Sequence, residues 1–128
     1  MGTCGIPLNM SNGLLIFDTP EFLLSMSAHA QICHYYGLPT GGFGGLSDSK
    51  VIDEQAAIIA ALSTFTAALS GINLIYDSGQ IESAMMGSAE MIVMQDEIID
   101  FVKRLIRGVD TDNNENIREL IEKVGPGG

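Results

Sequence analysis

Residues 37–50 form a glycine-rich segment between two stretches of helical periodicity, with four of the chain's fifteen glycines inside positions 41–45. Glycines at this density let the backbone turn tightly and let a ligand approach the main chain closely. Hydroxyl, carboxylate and ammonium side chains follow at once, from Ser47 to Lys50, in a chain with 17% charged residues. A glycine-rich loop that carries polar groups to a helix start predicts an α/β protein with its functional site at this loop.

Helical and strand-like segments alternate along the chain. Four segments carry apolar residues at helical spacing or helix-start signals: about 20–36, 49 or 52 to 69, 88–107 and 116–124. Two short apolar segments are predicted as strands, within 38–45 and 72–76, and residues 80–87 are predicted as a short helix or a loop. This alternation predicts an α/β fold of parallel βα units, with helices packed against the sheet.

The predicted elements form a single partial domain over residues 1–128. It consists of a strand or loop lead-in over about 1–18, βα units over 19–108, and a terminal helix with a glycine-rich end over 109–128. The second helix is apolar on most faces, so its surroundings are predicted to bury it almost fully. Two or three parallel strands cannot supply that burial, and their edges would stay unpaired. The pattern therefore indicates an incomplete unit that expects more protein around it.

Charge and composition disfavour several kinds of partner. The net charge of −10 argues against nucleic acid, which requires clustered lysine and arginine. No apolar run reaches the roughly 18 residues that span a bilayer, and no signal peptide is visible, so we expect no membrane and a cytoplasmic location. Cys4 and Cys33 match no zinc spacing, and Cys33 beside His34 is interpreted as a buried structural thiol. No metal site is predicted.

Three motifs suggest chemistry that the rest of the sequence does not support. Ser47-x-x-Lys50 matches serine acyl enzymes but lacks their partner motifs, so Lys50 is interpreted as a local ion-pair partner or a helix-start residue. The glycine loop could hold a phosphate, but no nucleotide motif is complete, and Asp48 and Asp53 would repel the anion. A segment beginning at Asp110 resembles the start of a calcium loop, lacks the later ligands and is interpreted as a solvated turn.

Aromatic and carboxylate side chains follow the predicted strands at their carboxyl ends, where parallel α/β folds bind ligands. The candidate substrate-binding residues are Phe43, Ser47, Asp48, Tyr76 and Asp77. Aromatic faces with nearby carboxylates bind tertiary or quaternary ammonium groups. The alternative is that Phe43 and Tyr76 are packing residues and that Asp48 caps the second helix. No catalytic residue is assigned.

Five sequence blocks nearly span the chain. They are Tyr36-Gly37-Leu38-Pro39, Gly44-Gly45-Leu46-Ser47-Asp48-Ser49-Lys50, Asp53-Glu54-Gln55-Ala56, Ala68-Leu69-Ser70-Gly71-Ile72-Asn73 and Val124-Gly125-Pro126-Gly127-Gly128. In this order they resemble the trimethylamine:corrinoid methyltransferase family. Members of that family are much longer, so the chain would correspond only to the C-terminal part of their barrel domain. Many relatives place an arginine near Gly41, which this chain lacks.

The resemblance implies a partial TIM barrel, a fragment of a (β/α)8 barrel. It implies transfer of a methyl group from a methylated amine, either trimethylamine or a quaternary amine such as glycine betaine, to a corrinoid (cobalamin). The corrinoid would be carried by a partner protein and not bound directly by this chain. Phe43 and Tyr76 would contact the ammonium group, and Asp48 would orient it or cap a helix. The full-length enzyme could be a homo-oligomer.

Two other interpretations stay open at this point. The chain could be an inactive or incomplete fragment, since an isolated piece of a barrel is expected to lack activity. It could instead be a small anion-binding α/β module. No pyrrolysine is written in the sequence, so the class of amine is undetermined.

Overall fold

The structure, a computed structural model, describes residues 4–111 and 117–127. Its helices are α1 (Pro20–Tyr35), α2 (Glu54–Leu69), α3 (Ala89–Arg107) and α4 (Ile117–Val124). Its strands are β1 (Gly41–Phe43), β2 (Leu74–Tyr76), β3 (Gln80–Ile81) and β4 (Met86–Gly87). β1 and β2 pair in parallel with α2 between them along the chain, which confirms the predicted α/β class with a parallel strand pair.

Local signals fix both ends of α1. The side-chain oxygen of Thr19 accepts a hydrogen bond from the Phe22 N–H at 3.3 Å, and Pro20 occupies the first turn. The helix ends at Tyr35, and Gly37 follows with a φ of +65°, close to the predicted end. Its buried residues recur at the predicted helical spacing: Phe22, Met26, Ala30 and Cys33. Cys33 is a buried free thiol, as predicted.

The next two helices also begin at capping side chains. Asp53 caps α2 by accepting a hydrogen bond from the Ala56 N–H at 2.9 Å, so this helix begins later than predicted. Ser88 caps α3 through the Met91 N–H at 3.2 Å, and Gly108 follows the end of α3, both as predicted. Every helix in the described part of the chain is too short or too polar to span a lipid bilayer.

Residues 80–87 form a β-hairpin, so the prediction of a short helix or a loop was wrong. β3 and β4 pair antiparallel, and the turn between them places three consecutive non-glycine residues in the left-handed region. The φ angle is +53° at Glu82, +53° at Ser83 and +67° at Ala84. Tight hairpins are normally signalled by glycine or asparagine at such positions, and this turn contains neither.

At the glycines of β1 and the following loop, other parts of the same chain pack closely against the backbone. A Cβ atom at Gly42 would lie 2.5 Å from Ile72 Cδ1. A Cβ atom at Gly44 would lie 2.6 Å from Ile75 Cγ2 and 3.4 Å from the Cα atom of Thr64 in α2. At these two positions the group that approaches the backbone is the protein itself and not a ligand, in contrast to the sequence-based expectation.

α2 is less buried than its apolar sequence predicts. Its buried residues are Ala56, Ala60, Ser63, Thr64 and Ala67. Ile58 is 57% exposed, Leu69 is 65% exposed, and Leu74 of β2 is also 65% exposed. The described elements therefore cover only part of α2 and of the strand pair, as expected for two parallel strands. Closure into a barrel stays a prediction.

The C-terminal part of the structure agrees with the sequence where it is described. α4 lies within the predicted helix at 116–124, and residue 116 itself is outside the described residues. The calcium-like segment that begins at Asp110 falls mostly on residues 112–116, which are also outside the described part. Its interpretation as a solvated turn stays a prediction.

Replacing Gly44 by alanine should destabilise the chain by about 1–3 kcal/mol, because the new methyl group overlaps Ile75 and meets the backbone of α2. Gly87→Ala is the matched control, since a Cβ atom there has nothing within 4 Å and neither glycine has a positive φ. Urea denaturation of both variants and the unchanged chain measures the difference. Equal stability of the two variants would show that the contact at Gly44 is not tight.

Candidate functional site

The carboxyl ends of β1 and β2 lie side by side because the strands are parallel and in register. Phe43 is paired with Tyr76, and their ring centroids are 4.9 Å apart with the ring planes at 66°. The Gly44 N–H donates to the Tyr76 carbonyl at 3.1 Å, which continues the pairing beyond the strands. The structure thus brings two of the predicted site residues together on one face of the sheet.

The Phe43 ring is also part of the apolar core. Its centroid lies 5.9 Å from that of Phe17 and 5.8 Å from that of Phe22, and both of these neighbours are buried. Aromatic rings at such distances contribute favourable packing. Phe43 is itself half-buried, and its contact with an ammonium group stays a prediction.

Tyr76 is the last residue of β2, and Asp77 follows it directly. Burial raises the pKa of the Tyr76 hydroxyl above its ordinary value, and the negative charge of Asp77 raises that pKa further. Asp77 has a φ of +66°, and its Oδ1 accepts a hydrogen bond from Gln80 Nε2 at 3.3 Å. The Asp77 carboxylate is thereby tied to the first residue of the β3–β4 hairpin.

Asp48 accepts three hydrogen bonds from distant parts of the chain. Its Oδ2 accepts from the backbone N–H groups of Phe17 at 2.9 Å and Asp18 at 3.0 Å. Its Oδ1 accepts from the Ser83 hydroxyl at 2.8 Å. Asp48 therefore holds the segment before α1 and the hairpin turn against the loop after β1. It does not cap α2, because Asp53 has that role.

Asp18 completes a reciprocal arrangement with Asp48. Its Oδ1 accepts from the Asp48 N–H at 2.8 Å, and its Oδ2 accepts from the Ser47 hydroxyl at 2.9 Å and from Gln55 Nε2 at 2.7 Å. We call the two aspartates with these hydrogen bonds the Asp18–Asp48 clamp. Each carboxylate uses three of its roughly four acceptor positions, and bonds to a charged acceptor are stronger than neutral ones. Sequence reasoning missed Asp18 because its local pattern indicated only a helix start.

The side chains of Ser47 and Lys50 do not form an acyl-enzyme pair. Ser47 is fully buried, and its hydroxyl donates to Asp18. Lys50 is highly exposed, and its Nζ lies 3.8 Å from Glu82 Oε1. The interpretation of Lys50 as a local ion-pair partner is confirmed. A nucleophilic serine requires a base within hydrogen-bond reach of its hydroxyl, which Lys50 does not provide.

The turn of the β3–β4 hairpin is the strained part of this region. Each non-glycine residue in the left-handed region costs about 1–2 kcal/mol, and this turn has three in a row. The turn is held by the Glu82 N–H donating to the Ser49 carbonyl at 2.7 Å and the Ser83 N–H donating to the Ser47 carbonyl at 3.3 Å. Strain that the surroundings sustain is typical of functional sites. The sequence pattern did not identify Glu82 and Ser83 as site residues. The available signal was that they directly follow an apolar residue.

A cavity of about 600 Å³ lies between the Asp18–Asp48 clamp, the hairpin turn and the segment before α1. Its lining residues are Asn9, Asn12, Leu14, Leu15, Ile16, Asp48, Lys50, Glu82, Ser83 and Met85. Apolar and polar residues both contribute to this lining, and a volume of this size is within the range of small-molecule sites. Of the predicted site residues, Asp48 lines this cavity, whereas Phe43, Ser47, Tyr76 and Asp77 do not.

The clamp predicts an asymmetric response to substitution of Asp48. Asp48→Ala should lower the free energy of unfolding by about 1–3 kcal/mol, because the Phe17 and Asp18 N–H donors lose their acceptor. Asp48→Asn keeps one oxygen for these donors and should cost less. Chemical denaturation measures both changes, with Asp96→Ala on the exposed side of α3 as the control. Equal losses for the alanine and asparagine variants would contradict the role of the retained oxygen.

The raised pKa of Tyr76 predicts a loss of stability at high pH. The folded chain holds the phenol proton more tightly than the unfolded chain, so this contribution is fully present below the ordinary tyrosine pKa of about 10. It is lost as the pH rises from there through the folded pKa of Tyr76. Stability measured against pH should decline more steeply in the unchanged chain than in Tyr76→Phe, with Tyr35→Phe at an exposed ring as the control. Ionisation of the Tyr76 phenol at a pH below the ordinary tyrosine pKa would contradict this prediction.

Comparison with known proteins covers the whole chain. Residues 1–128 match the family model described as trimethylamine methyltransferase (MTTB). The chain is 36% identical over 121 residues to the glycine betaine methyltransferase of Desulfitobacterium hafniense strain Y51, covering 94% of this chain and 25% of that protein. It is 34% identical over 126 residues to the trimethylamine methyltransferase MttB of Methanosarcina barkeri strain Fusaro, covering 98% of this chain and 26% of that protein. The chain thus spans about a quarter of the length of these curated relatives.

The match of the family model over residues 1–128 confirms the resemblance seen in the sequence. The chain belongs to the trimethylamine methyltransferase (MTTB) family.

Proposed function

We propose that this chain takes part in transferring a methyl group from a methylated amine to a corrinoid carried by a partner protein. Membership of the trimethylamine methyltransferase family supports methyl transfer, and the relatives are named for trimethylamine and glycine betaine. The same membership favours this function over the anion-binding module considered from the sequence. Carboxylates near the strand ends also support it, since they attract a cation and repel a phosphate.

The observation that carries the proposal is the mixed lining of the cavity between the Asp18–Asp48 clamp, the hairpin turn and the segment before α1. A methylated ammonium group presents apolar methyl groups around a positively charged nitrogen. Leu14, Leu15 and Met85 offer apolar surface to the methyl groups, and Glu82 offers a negative charge to the nitrogen. Lys50 lines the same cavity and its Nζ lies 3.8 Å from Glu82 Oε1, so it partly balances this negative charge. The apolar surface together with the Glu82 carboxylate supports a methylated amine as the ligand.

In the proposed reaction the carbon–nitrogen bond breaks, the methyl group passes to the acceptor, and the nitrogen keeps the electron pair of the broken bond. The corrinoid supplies the nucleophile, a reduced cobalt, when the partner protein brings it. The residues of this chain have a positioning task, which is to hold the nitrogen with one methyl group directed toward the acceptor. The Asp18–Asp48 clamp supports this task because it fixes the hairpin turn and the segment before α1, both of which line the cavity.

The proposal retains the roles that were predicted for the site residues from the sequence. Phe43 and Tyr76 would contact the ammonium group through their ring faces, and Asp48 would orient it. Ser47 and Asp77 remain candidates for substrate contact. Asp48 lines the cavity, whereas Phe43 and Tyr76 are paired at the carboxyl ends of β1 and β2.

We also propose that these βα units form part of a (β/α)8 barrel. Among the described residues β1 and β2 form a sheet of two strands, so each has one unpaired edge. Leu62 on α2 is 47% exposed, and Leu74 on β2 is 65% exposed. Parallel sheets are normally covered on both faces, and further βα units packed here would bury this apolar surface.

Because an isolated piece of a barrel is expected to lack activity, methyl transfer is tested with a purified protein that contains this chain within a complete barrel. Trimethylamine or glycine betaine is the donor, and Co(I) cobalamin or a corrinoid protein is the acceptor. We expect methylation of the acceptor that depends on the amine, read from visible absorbance, and release of an amine with one methyl group fewer. Asp48→Asn should slow the reaction about tenfold, which corresponds to roughly 1.4 kcal/mol of lost orientation. Asp96→Asn on α3 is the matched control and should leave the rate unchanged.

Absence of transfer from both amines to both acceptors would contradict the proposed function. An unchanged rate in Asp48→Asn would remove Asp48 from the substrate site and leave it with its role in the clamp alone.

A further inference from the structure

We propose that α4 of a second copy of this chain packs into the apolar groove between α2 and α3, and that two copies exchange these helices reciprocally. The inference concerns assembly, so it goes beyond methyl transfer and does not depend on it. Its basis is that one chain carries both an exposed amphipathic helix and a groove that matches this helix in length, apolar character and charge.

The apolar residues of α4 lie on a single face of the helix and are exposed. At 3.6 residues per turn, these residues fall within a stripe about 100° wide. They are Ile117, Leu120, Ile121 and Val124, and their exposed fractions are 49%, 60%, 66% and 55%. Within the described part of the chain, none of the eight residues of α4 is buried. Since isolated helices of this length are not stable in water, α4 needs a surface to pack against.

The groove between α2 and α3 offers a surface of the matching kind. It has a volume of about 680 Å³, and Phe65 of α2 faces Ile98, Phe101 and Leu105 of α3 in its lining. Phe101 is 68% exposed and Leu105 is 50% exposed. The α3 part of the groove from Ile98 to Leu105 is as long as α4, about 12 Å at 1.5 Å per residue. The apolar stripe of α4 can therefore be covered along its full length.

The charges on the two surfaces are complementary. The charged side chains in the lining of the groove, Glu97 and Asp100, are both acidic. On α4, Arg118 and Lys123 lie on opposite sides of the apolar stripe, each about 110° from its centre, whereas the two glutamates of α4 lie on the far side. A docked α4 therefore presents a basic side chain to the acidic wall of the groove, whichever way the helix runs.

The present partners of these charges do not oppose docking. Arg118 Nε lies 3.3 Å from Glu122 Oε1, and Lys103 Nζ lies 3.5 Å from Asp100 Oδ1. All four side chains are at least 67% exposed. Exposed ion pairs of this kind contribute little stability, so their rearrangement at an interface costs little.

A second copy is the occupant because the single chain leaves both surfaces open. Its own α4 keeps the apolar stripe exposed, and its own groove is not filled by that helix. Reciprocal exchange between two copies covers both helices and fills both grooves through the same contact made twice. Such a symmetric contact closes the assembly at two copies.

Charge reversal tests the exchange in the same protein that is used for methyl transfer. The groove variant combines Glu97→Lys with Asp100→Lys, and the helix variant combines Arg118→Glu with Lys123→Glu. Each variant alone should dimerise at least about tenfold more weakly than the unchanged protein, because like charges meet at both contacts. An equimolar mixture should restore the affinity, because a hybrid dimer with one copy of each variant pairs opposite charges at both contacts. Sedimentation velocity measures the dissociation constants.

A charge-matched control excludes a general attraction between oppositely charged proteins. Glu21→Lys with Asp96→Lys changes the net charge by the same amount as the groove variant, at two exposed residues outside the groove lining. This control should dimerise as the unchanged protein does. Mixed with the helix variant, it should not restore the association of that variant.

The apolar part of the contact is tested by Leu120→Asp. This variant should dimerise at least about tenfold more weakly, because a carboxylate would enter the apolar groove. The urea midpoint of the dissociated protein should not change, since Leu120 is 60% exposed in the single chain. Leu24→Asp on α1, at a leucine that is 69% exposed, is the matched control and should leave dimerisation unchanged.

Restored association only in the mixture of the groove and helix variants is the expected result. An unchanged protein that stays monomeric would overturn the inference, and so would charge reversals that leave the dimer unaffected. Weakening of both variants without restoration in the mixture, or restoration by the charge-matched control, would also overturn it. The chain's own α4 or a further βα unit would then be the occupant of the groove. Since no readout involves methyl transfer, failure of the proposed function would leave this inference standing.

Discussion

The reciprocal hydrogen bonding of Asp18 and Asp48 is the interaction on which the geometry of the strand ends depends. Each carboxylate accepts a backbone N–H of the other residue, at 2.8 Å and 3.0 Å, so the segment before α1 and the loop after β1 hold each other. The Ser83 hydroxyl extends this network to the hairpin turn. Three segments that are distant in sequence thereby form the walls of one cavity. Charged acceptors suit this role because a carboxylate satisfies several donors from a single position.

Apolar surface on the helices contrasts with this satisfied polar network. A groove of about 680 Å³ between α2 and α3 is lined mainly by apolar side chains, among them Leu62, Phe65 and Phe101. Phe101 is 68% exposed, and α3 buries only Met91, Gln95 and Val102. The charged side chains in the lining of this groove, Glu97 and Asp100, are both acidic, whereas the cavity beside the Asp18–Asp48 clamp is lined by charges of both signs. Its chemistry is that of helix packing, which agrees with the inferred docking of α4 in the groove.

Local chemistry explains which parts of the fold the sequence could predict. Thr19 and Ser88 lie directly before their helices and accept hydrogen bonds from N–H groups three positions later, so both helix starts were visible in the pattern. The start of α2 was placed too early because several polar residues precede Asp53, and only the structure distinguishes the cap. The hairpin turn was missed because its left-handed residues carry side chains. Contacts such as that between Asp18 and Asp48 join residues 30 positions apart, and a local pattern does not report them.

A local sequence pattern also does not report which charged side chains of the candidate site are available to a ligand. Two of the carboxylates near the cavity, Asp18 and Asp48, are largely occupied by protein donors, which leaves Glu82 opposite Lys50. A chain with a net charge of −10 therefore presents, at this cavity, one available negative side chain and one positive side chain. Net charge acts over the whole surface and affects the approach of ligands, whereas selection depends on the few groups that touch them. The hydrogen bonds of each carboxylate, and not their number in the sequence, decide which charge a ligand meets.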